Sequence, residues 1–266
     1  MRPLAVVGNL SRDLVDGGPP RVGGGSYHAA RALRVLGRPA IVGAKCAVAD
    51  RDTLLTPLVR LGLPVLWRGG SSTATFAFHY EGDRRVMTVE ELGDPWTAAD
   101  LHGLERAQWV HAAALLRSDF PAETLALLAR DRRVSLDGQG LVRPSRTGPL
   151  ELDSDYDPEV LRHISVLKLG EDEAEAVIGE PTEESLRSLG VPEVVVTLGS
   201  RGSLVFADGR LERVESRAIE GEVDPTGAGD AFMAVYLVSR TSGYSPVAAA
   251  RRSSALVAGL LDRRVT

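Results

Sequence analysis

The stretch whose reading decides the fold is Val223-Asp224-Pro225-Thr226-Gly227-Ala228-Gly229-Asp230-Ala231-Phe232, a glycine-rich turn that runs straight into the apolar residues 231–238. That run predicts a buried helix. Asp224 and Thr226 are residue types that cap helices, and Pro225 suits the turn before the first helical turn. Gly227 and Gly229 leave the backbone open to a ligand, because no Cβ stands in the way. The free N–H groups and the positive end of the helix dipole then face one spot, which favours an anion there. Asp230 lies inside that spot. A carboxylate there binds phosphate poorly but can take the proton from a hydroxyl that attacks a phosphoryl group. Two readings stand side by side: a capped helix start with a dipole-favoured acid, or an anion site with a proton acceptor at its edge.

Working outward, the chain of 266 residues suits one large α/β domain, residues 1–266, with room for a sizeable core and a small appendage. The net charge of −5, from 31 basic and 36 acidic residues without a basic block, argues against a nucleic-acid partner. Nearly all the positive charge is arginine; Lys45 and Lys168 are the only lysines, which reads as a composition bias and not as a site. Cys46 is the only cysteine, so a disulfide within the chain is impossible and a reducing compartment fits. His28, His79, His102, His111 and His163 show no metal-ligand spacing. No apolar run reaches membrane-spanning length, and a cytoplasmic location without membrane partners is the expectation.

Strand and helix signals alternate along the chain. Residues 4–7 form an apolar run ending at Gly8, the pattern of a buried parallel strand, and Asp13 follows just beyond it. Carboxylates beyond strand ends lie where open α/β sheets bind ligands, and Asp13 could hold two hydroxyls of a polyol or be a solvated loop acid. Gly23-Gly24-Gly25-Ser26 opens a helix over 27–36. Further strands are predicted at 40–42, 64–67, 108–113, 134–136, 166–169 and 194–198, and further helices at 53–61, 121–129 and 246–261. Residues 73–80 and 85–89 alternate in period two across a tight turn and predict a hairpin; 203–206 and 211–214 predict a second, joined at Asp208-Gly209. Asp137-Gly138-Gln139-Gly140 follows a strand, with Arg143 beyond; no chemical role is assigned to Asp137, for which structural polar anchoring is an equal reading. Phe76, Phe78 and Tyr80 could stack on a base if they face a cleft.

Four motifs in this order resemble the ribokinase-like (PfkB) sugar kinases, from Gly8 to about Ser254. The resemblance implies a three-layer α/β/α fold with a mostly parallel central sheet and a small β-lid, here from segments 14–22 and 73–89. Residues 224–230 resemble the family's D-T-x-G-A-G-D, which implies Asp230 as the general base and Gly227, Ala228 and Gly229 as the anion hole. Gly8 and Asp13 match its early G-x-x-x-x-D, and Gly23, Gly24 and Ala30 its G-G-x-x-x-N-x-A, which orients the acceptor. His28 replaces the asparagine of that motif, a bulkier group with one donor and one acceptor when neutral. Glu173 matches the glutamate of N-x-x-E, which helps hold hydrated Mg2+, whereas Gly170 replaces the asparagine. Thr197, Gly199 and Gly202 match T-x-G-x-x-G, which approaches the nucleotide, and Ser254 would lie near the base. Asp224 and Thr226 are nominated as ligands of a monovalent cation such as K+. The implied activity is ATP-dependent phosphorylation of a small polyhydroxy compound, a sugar or cyclitol. The short lid and the 137–140 segment resemble myo-inositol-kinase-like members. A nucleoside acceptor, and a non-catalytic ligand-binding sensor, are the alternatives, and a homodimer through the lid is the implied assembly. A dehydrogenase is disfavoured, because no G-x-G-x-x-G follows the first strand.

Overall fold

The computed structural model describes residues 4–81, 84–216 and 226–265. In chain order the elements are β1 (Leu4–Asn9), β2 (Ser11–Val15), β3 (Arg21–Gly23), α1 (Gly25–Val35), β4 (Ile41–Ala47), α2 (Arg51–Val59), β5 (Val65–Gly70), β6 (Ala74–Glu81), β7 (Arg84–Glu91), β8 (Trp109–Ala112), α3 (Ala122–Ala129), β9 (Arg133–Asp137), α4 (Gln139–Val142), β10 (Gly148–Pro149), β11 (Val166–Gly170), α5 (Glu171–Ile178), α6 (Glu183–Ser188), β12 (Glu193–Thr197), β13 (Ser203–Ala207), β14 (Arg210–Val214), α7 (Ala228–Thr241) and α8 (Pro246–Val265).

Nine strands form the main sheet in the order β14-β13-β12-β11-β9-β8-β1-β4-β5. Its pairings are parallel from β12 to β5, and the two at the other edge, β12–β13 and β13–β14, are antiparallel. Apolar side chains leave both faces of the inner strands, so helices must cover both. On one face Leu125 and Leu128 of α3, Ala174 of α5 and Leu186 of α6 join the core. On the other, α1, α7 and α8 contribute Leu33, Met233, Tyr236, Leu237 and Ala250. Helix α7 is buried along the whole of residues 231–239, the all-round apolar helix its sequence predicts. Its Tyr236 hydroxyl donates to Glu193 of β12, and Arg240 closes a second bond to the same carboxylate at 2.9 Å, which fixes the helix on the sheet.

A second sheet, β10-β7-β6-β2-β3, stands over the carboxyl ends of the parallel strands. This lid begins earlier than segment 14–22, because only Leu10 separates β1 from β2. Asp13 is therefore not in a loop beyond the first strand; it sits on β2, opposite Arg21 of β3 and Phe76 of β6. The lid also takes in Gly148–Pro149, paired with Val89 and Thr88, a two-residue strand too short to show any period in sequence. The hairpin turn at Asp208-Gly209 carries φ +51° and +74°, the paired positive angles of the tightest hairpin loops.

Residues 113–120 cross from β8 to α3 at the base of the lid. Asp119 is fully buried there, and its Oδ2 accepts the Leu115 N–H at 2.8 Å. Burial pushes the Asp119 carboxyl up to about 7. Its folded-state value lies above its unfolded one, so the folded chain holds the proton longer, and wild-type stability falls as pH rises from about 4 to about 7. Asp119→Asn keeps an acceptor for Leu115 and removes the titration. Whatever its constant offset, the stability difference should move in favour of the variant across that window, by up to about 1.4 kcal/mol per pH unit. Urea unfolding of both proteins at several pH values reads this out, and parallel stability curves would refute it.

Candidate active site

Gly227 stands at the mouth of α7 with φ +75°, a left-handed conformation that suits glycine. A Cβ there would lie 2.6 Å from Cγ of His28, so the α1 imidazole packs directly on this turn. The first helical hydrogen bond runs from Ala231 N–H to Gly227 carbonyl, which leaves the N–H groups of the preceding turn to serve a ligand.

The glycine run before α1 clears space for three different neighbours. A Cβ on Gly23 would lie 2.2 Å from Oδ2 of Asp13, one on Gly24 would lie 2.3 Å from the Asn9 carbonyl, and one on Gly25 would lie 2.8 Å from Oδ1 of Asp230. The start of α1 thus touches the lid carboxylate at one end and the α7 carboxylate at the other. Ser11 donates its hydroxyl proton to Oδ1 of Asp13 at 2.7 Å, which orients that carboxylate.

These groups share a cavity of about 330 Å³. Its lining is polar at Asp13, His28, Gln139, Arg143, Lys168 and Asp230 and apolar at Phe76, Phe78, Met87 and Leu115; Asp13 stands beside Phe76 on the lid. Burial raises the Asp230 carboxyl above the usual carboxylate range, against the pull of Lys168 and Arg143, and Glu173 adds to the rise. Asp137 is raised in the same way, by burial and by Asp230, with Lys168 opposing. Lys168 reaches Asp137 Oδ1 at 3.4 Å and Glu173 Oε2 at 3.5 Å.

Of the residues singled out from sequence, Asp13, Gly24, His28, Thr197, Thr226, Gly227, Ala228, Gly229 and Asp230 line this one cavity. Gly23 backs it through Asp13. Gly199, Gly202, Glu173 and Ser254 are not among its lining residues. Gly199 and Gly202 shape the turn after β12 with φ +58° and +89°, and a Cβ on Gly202 would lie 2.0 Å from the Val214 carbonyl. Ser254 is buried on α8. Glu173 caps its own helix, Oε2 accepting the Gly170 N–H at 2.6 Å. Asp224 lies outside the described residues, as does the side chain of Tyr80. Among the described residues no group of three or more His, Cys, Asp or Glu is arranged to hold a metal.

Lys168, read from sequence as no site, lines the cavity, and both lysines are buried beside carboxylates. Asp137, to which the sequence assigned no chemical role, lines the cavity too and pairs with Lys168. The available signal was the survival of two lysines in a chain that uses arginine everywhere else.

A model of the pfkB family carbohydrate kinases matches residues 30–261. The chain belongs to that family. Among curated relatives it is 28% identical over 172 residues to a ribokinase of Bacillus subtilis, covering 64% of this chain and 56% of that protein. It is 35% identical over 104 residues to a ribokinase of Arabidopsis thaliana, covering 35% of this chain and 27% of that one. The chain thus spans between about a quarter and somewhat over half of these pfkB-family relatives. Among solved structures, a pyrophosphate-dependent kinase of the ribokinase family, complexed with a pyrophosphate analog and myo-inositol, superposes with a TM-score of 0.84 at 27% identity, covering 97% of this chain and 94% of that one. Arabidopsis ribokinase complexed with ribose and ATP gives a TM-score of 0.71 at 21% identity, covering 97% and 96%, and supports the fold.

Gly227→Ala combines a strained φ with a clash against the His28 ring. Its expected cost is about 2 kcal/mol or more of stability. Adding His28→Ala should return the part due to the clash and leave the part due to φ. Thermal unfolding of the single and double variants checks this; no recovery in the double variant would show that the ring is not what the added methyl meets.

Proposed function

We propose that the chain transfers a terminal phosphoryl group from a polyphosphate donor to a hydroxyl of a small cyclitol or sugar. The observation that carries this reading is the position of Asp230: at the bared N-terminus of α7, against Gly25 of α1, in one cavity with Asp13. In this reading the acceptor lies against the lid face, where the Asp13 carboxylate stands beside the apolar Phe76, Phe78 and Met87. A cyclitol suits such a mixed surface, because its ring edge offers hydroxyls and its faces offer C–H surface. Asp230 accepts the proton of the attacking hydroxyl, a task for which a raised pKa is an advantage. The Gly227-Ala228-Gly229 amides and the Arg143 guanidinium take up charge on the transferring group. Mg2+ fits here only as a hydrated ion held largely by the donor's phosphates, with Glu173 at its edge; when bound it neutralises phosphate oxygens.

ATP is the donor the motifs imply. Pyrophosphate is a second reading that two observations favour. The similar structure with bound myo-inositol is that of a pyrophosphate-dependent kinase. And among the described residues nominated for the nucleotide, Thr197 lines the cavity, whereas Gly199, Gly202 and Ser254 do not. A nucleoside acceptor is supported by Phe76 and Phe78 alone, whose rings line the same cavity.

Asp230→Asn, with folding verified by circular dichroism, should lower kcat by about two to four orders of magnitude. Turnover near wild type would remove Asp230 from the mechanism. A matrix of ATP and pyrophosphate against myo-inositol, ribose, fructose 6-phosphate and adenosine assigns donor and acceptor. We expect myo-inositol to give the highest kcat/KM. Saturable donor binding without product on any acceptor would instead make the protein a sensor.

A further inference from the structure

The two lysines of this chain are held in different ways. Lys45 is satisfied: its Nζ donates to the Pro95 carbonyl at 2.7 Å and to Asp100 Oδ2 at 2.8 Å, ordinary lengths for charge-assisted bonds. Lys168 is as deeply buried, yet its two contacts are 3.4 and 3.5 Å long. An ammonium carries three donors. At Lys168 none of them has an acceptor at full-strength distance, and the group borders the cavity. A Cβ built on Gly229 would lie 3.3 Å from Nζ, so the ammonium sits directly beneath the turn whose amides face the cavity.

We propose that Lys168 is a donor-binding residue, its ammonium preplaced to hold an oxygen of the terminal phosphate seated at the head of α7. The identity of that anion rests on the kinase reading above. Three facts support the assignment besides distance. Burial by itself would favour loss of the proton, but Asp137, Glu173 and Asp230 more than offset it, so the charge is held throughout the neutral range. Asp137 at the end of β9 and Glu173 on α5 hold the ammonium at 3.4 and 3.5 Å, and the α7 turn passes over it at Gly229. The space also suits lysine: Gly229 lies close against this side chain and Gly138 close against its partner Glu173, and a planar guanidinium is broader than a compact ammonium. In a chain that places arginine at almost every other cationic position, lysine at 168 follows from that fit.

The test measures binding, not turnover. Imidodiphosphate and adenylyl imidodiphosphate, each with Mg2+, are titrated calorimetrically into wild type and Lys168→Met, and myo-inositol is titrated in parallel. A lost charge-assisted bond weakens binding of whichever donor analogue wild type takes by about 10- to 100-fold, with acceptor affinity unchanged within about twofold. Because Lys168→Met leaves two buried carboxylates without their counter-charge, Lys168→Met/Asp137→Asn is made alongside it. That pair removes one charge of each sign and should show the same selective loss. Unchanged analogue affinity in a folded variant overturns the proposal, as does an equal loss of analogue and acceptor affinity, which marks a structural role only. Failure of wild type to bind either analogue overturns it too. If wild type binds an analogue through Lys168 but transfers phosphate to no acceptor, the kinase reading fails and this inference stands.

Discussion

A helix can offer bare amides to a ligand only if its first turn is uncovered while the rest of it is held fast. Helix α7 meets both conditions. From Ala231 onward it is wrapped by the sheet, α1 and α8, and Tyr236 and Arg240 tie it to Glu193. Burying that apolar surface stabilises the helix enough to keep its N-terminus in one place. At Gly227 the wrapping stops, and a left-handed residue turns the chain inward without placing a side chain over the amides. The His28 ring fills the space a Cβ would take, so the turn is backed by α1 from behind and open to the cavity in front.

The same logic brings residues from opposite ends of the chain together. Helix α1 packs beside α7, and the glycine run that leads into it meets Asp13 at Gly23 and Asp230 at Gly25. One backbone therefore sets the spacing between the lid carboxylate and the α7 carboxylate. Residues with side chains at 23 and 25 would push those two acids out of the cleft. Three glycines in a row are a weak signal in sequence; in the fold each is required by a different close contact.

The parallel strands, the helices between them and both hairpins were legible in the sequence, because buried strands and amphipathic helices leave strong periodic signals. The α7 turn was legible too, since glycines beside a helix-opening acid leave few physical readings. The placement of Asp13 was not. A one-residue step from β1 into β2 looks, in sequence, like a strand followed by a loop, and only the pairing with β6 shows otherwise. Strand β10 and the short helix α4 are too brief to show a period, whereas α6 carries a local signal that went unread: Thr182 caps it by accepting the Ser185 N–H, with Glu183 and Glu184 in its first turn. The Lys168–Asp137–Glu173 cluster was missed for a related reason: its members lie on β11, β9 and α5, and strand pairing, not sequence proximity, brings them together. In chain order Lys168 is one cation among many.

That cluster also bears on how a polyphosphate could enter. Asp137, Glu173 and Asp230 against Lys168 and Arg143 leave the buried ensemble with more negative than positive charge when all five are ionised. The protein responds where it can, by raising the affinity of Asp137 and Asp230 for protons. A phosphate chain arriving unaccompanied would deepen the imbalance, because its terminal oxygens come to rest beside Asp230. Its repulsion from that acid is opposed by the α7 amides, by Arg143 and by Lys168, all short-range. A donor that carries a divalent cation brings its own compensation, and desolvation then costs far less. On the reading proposed above, the shortage of positive charge among these side chains favours a donor that enters as a metal complex, and the fixed cations would need only to orient it.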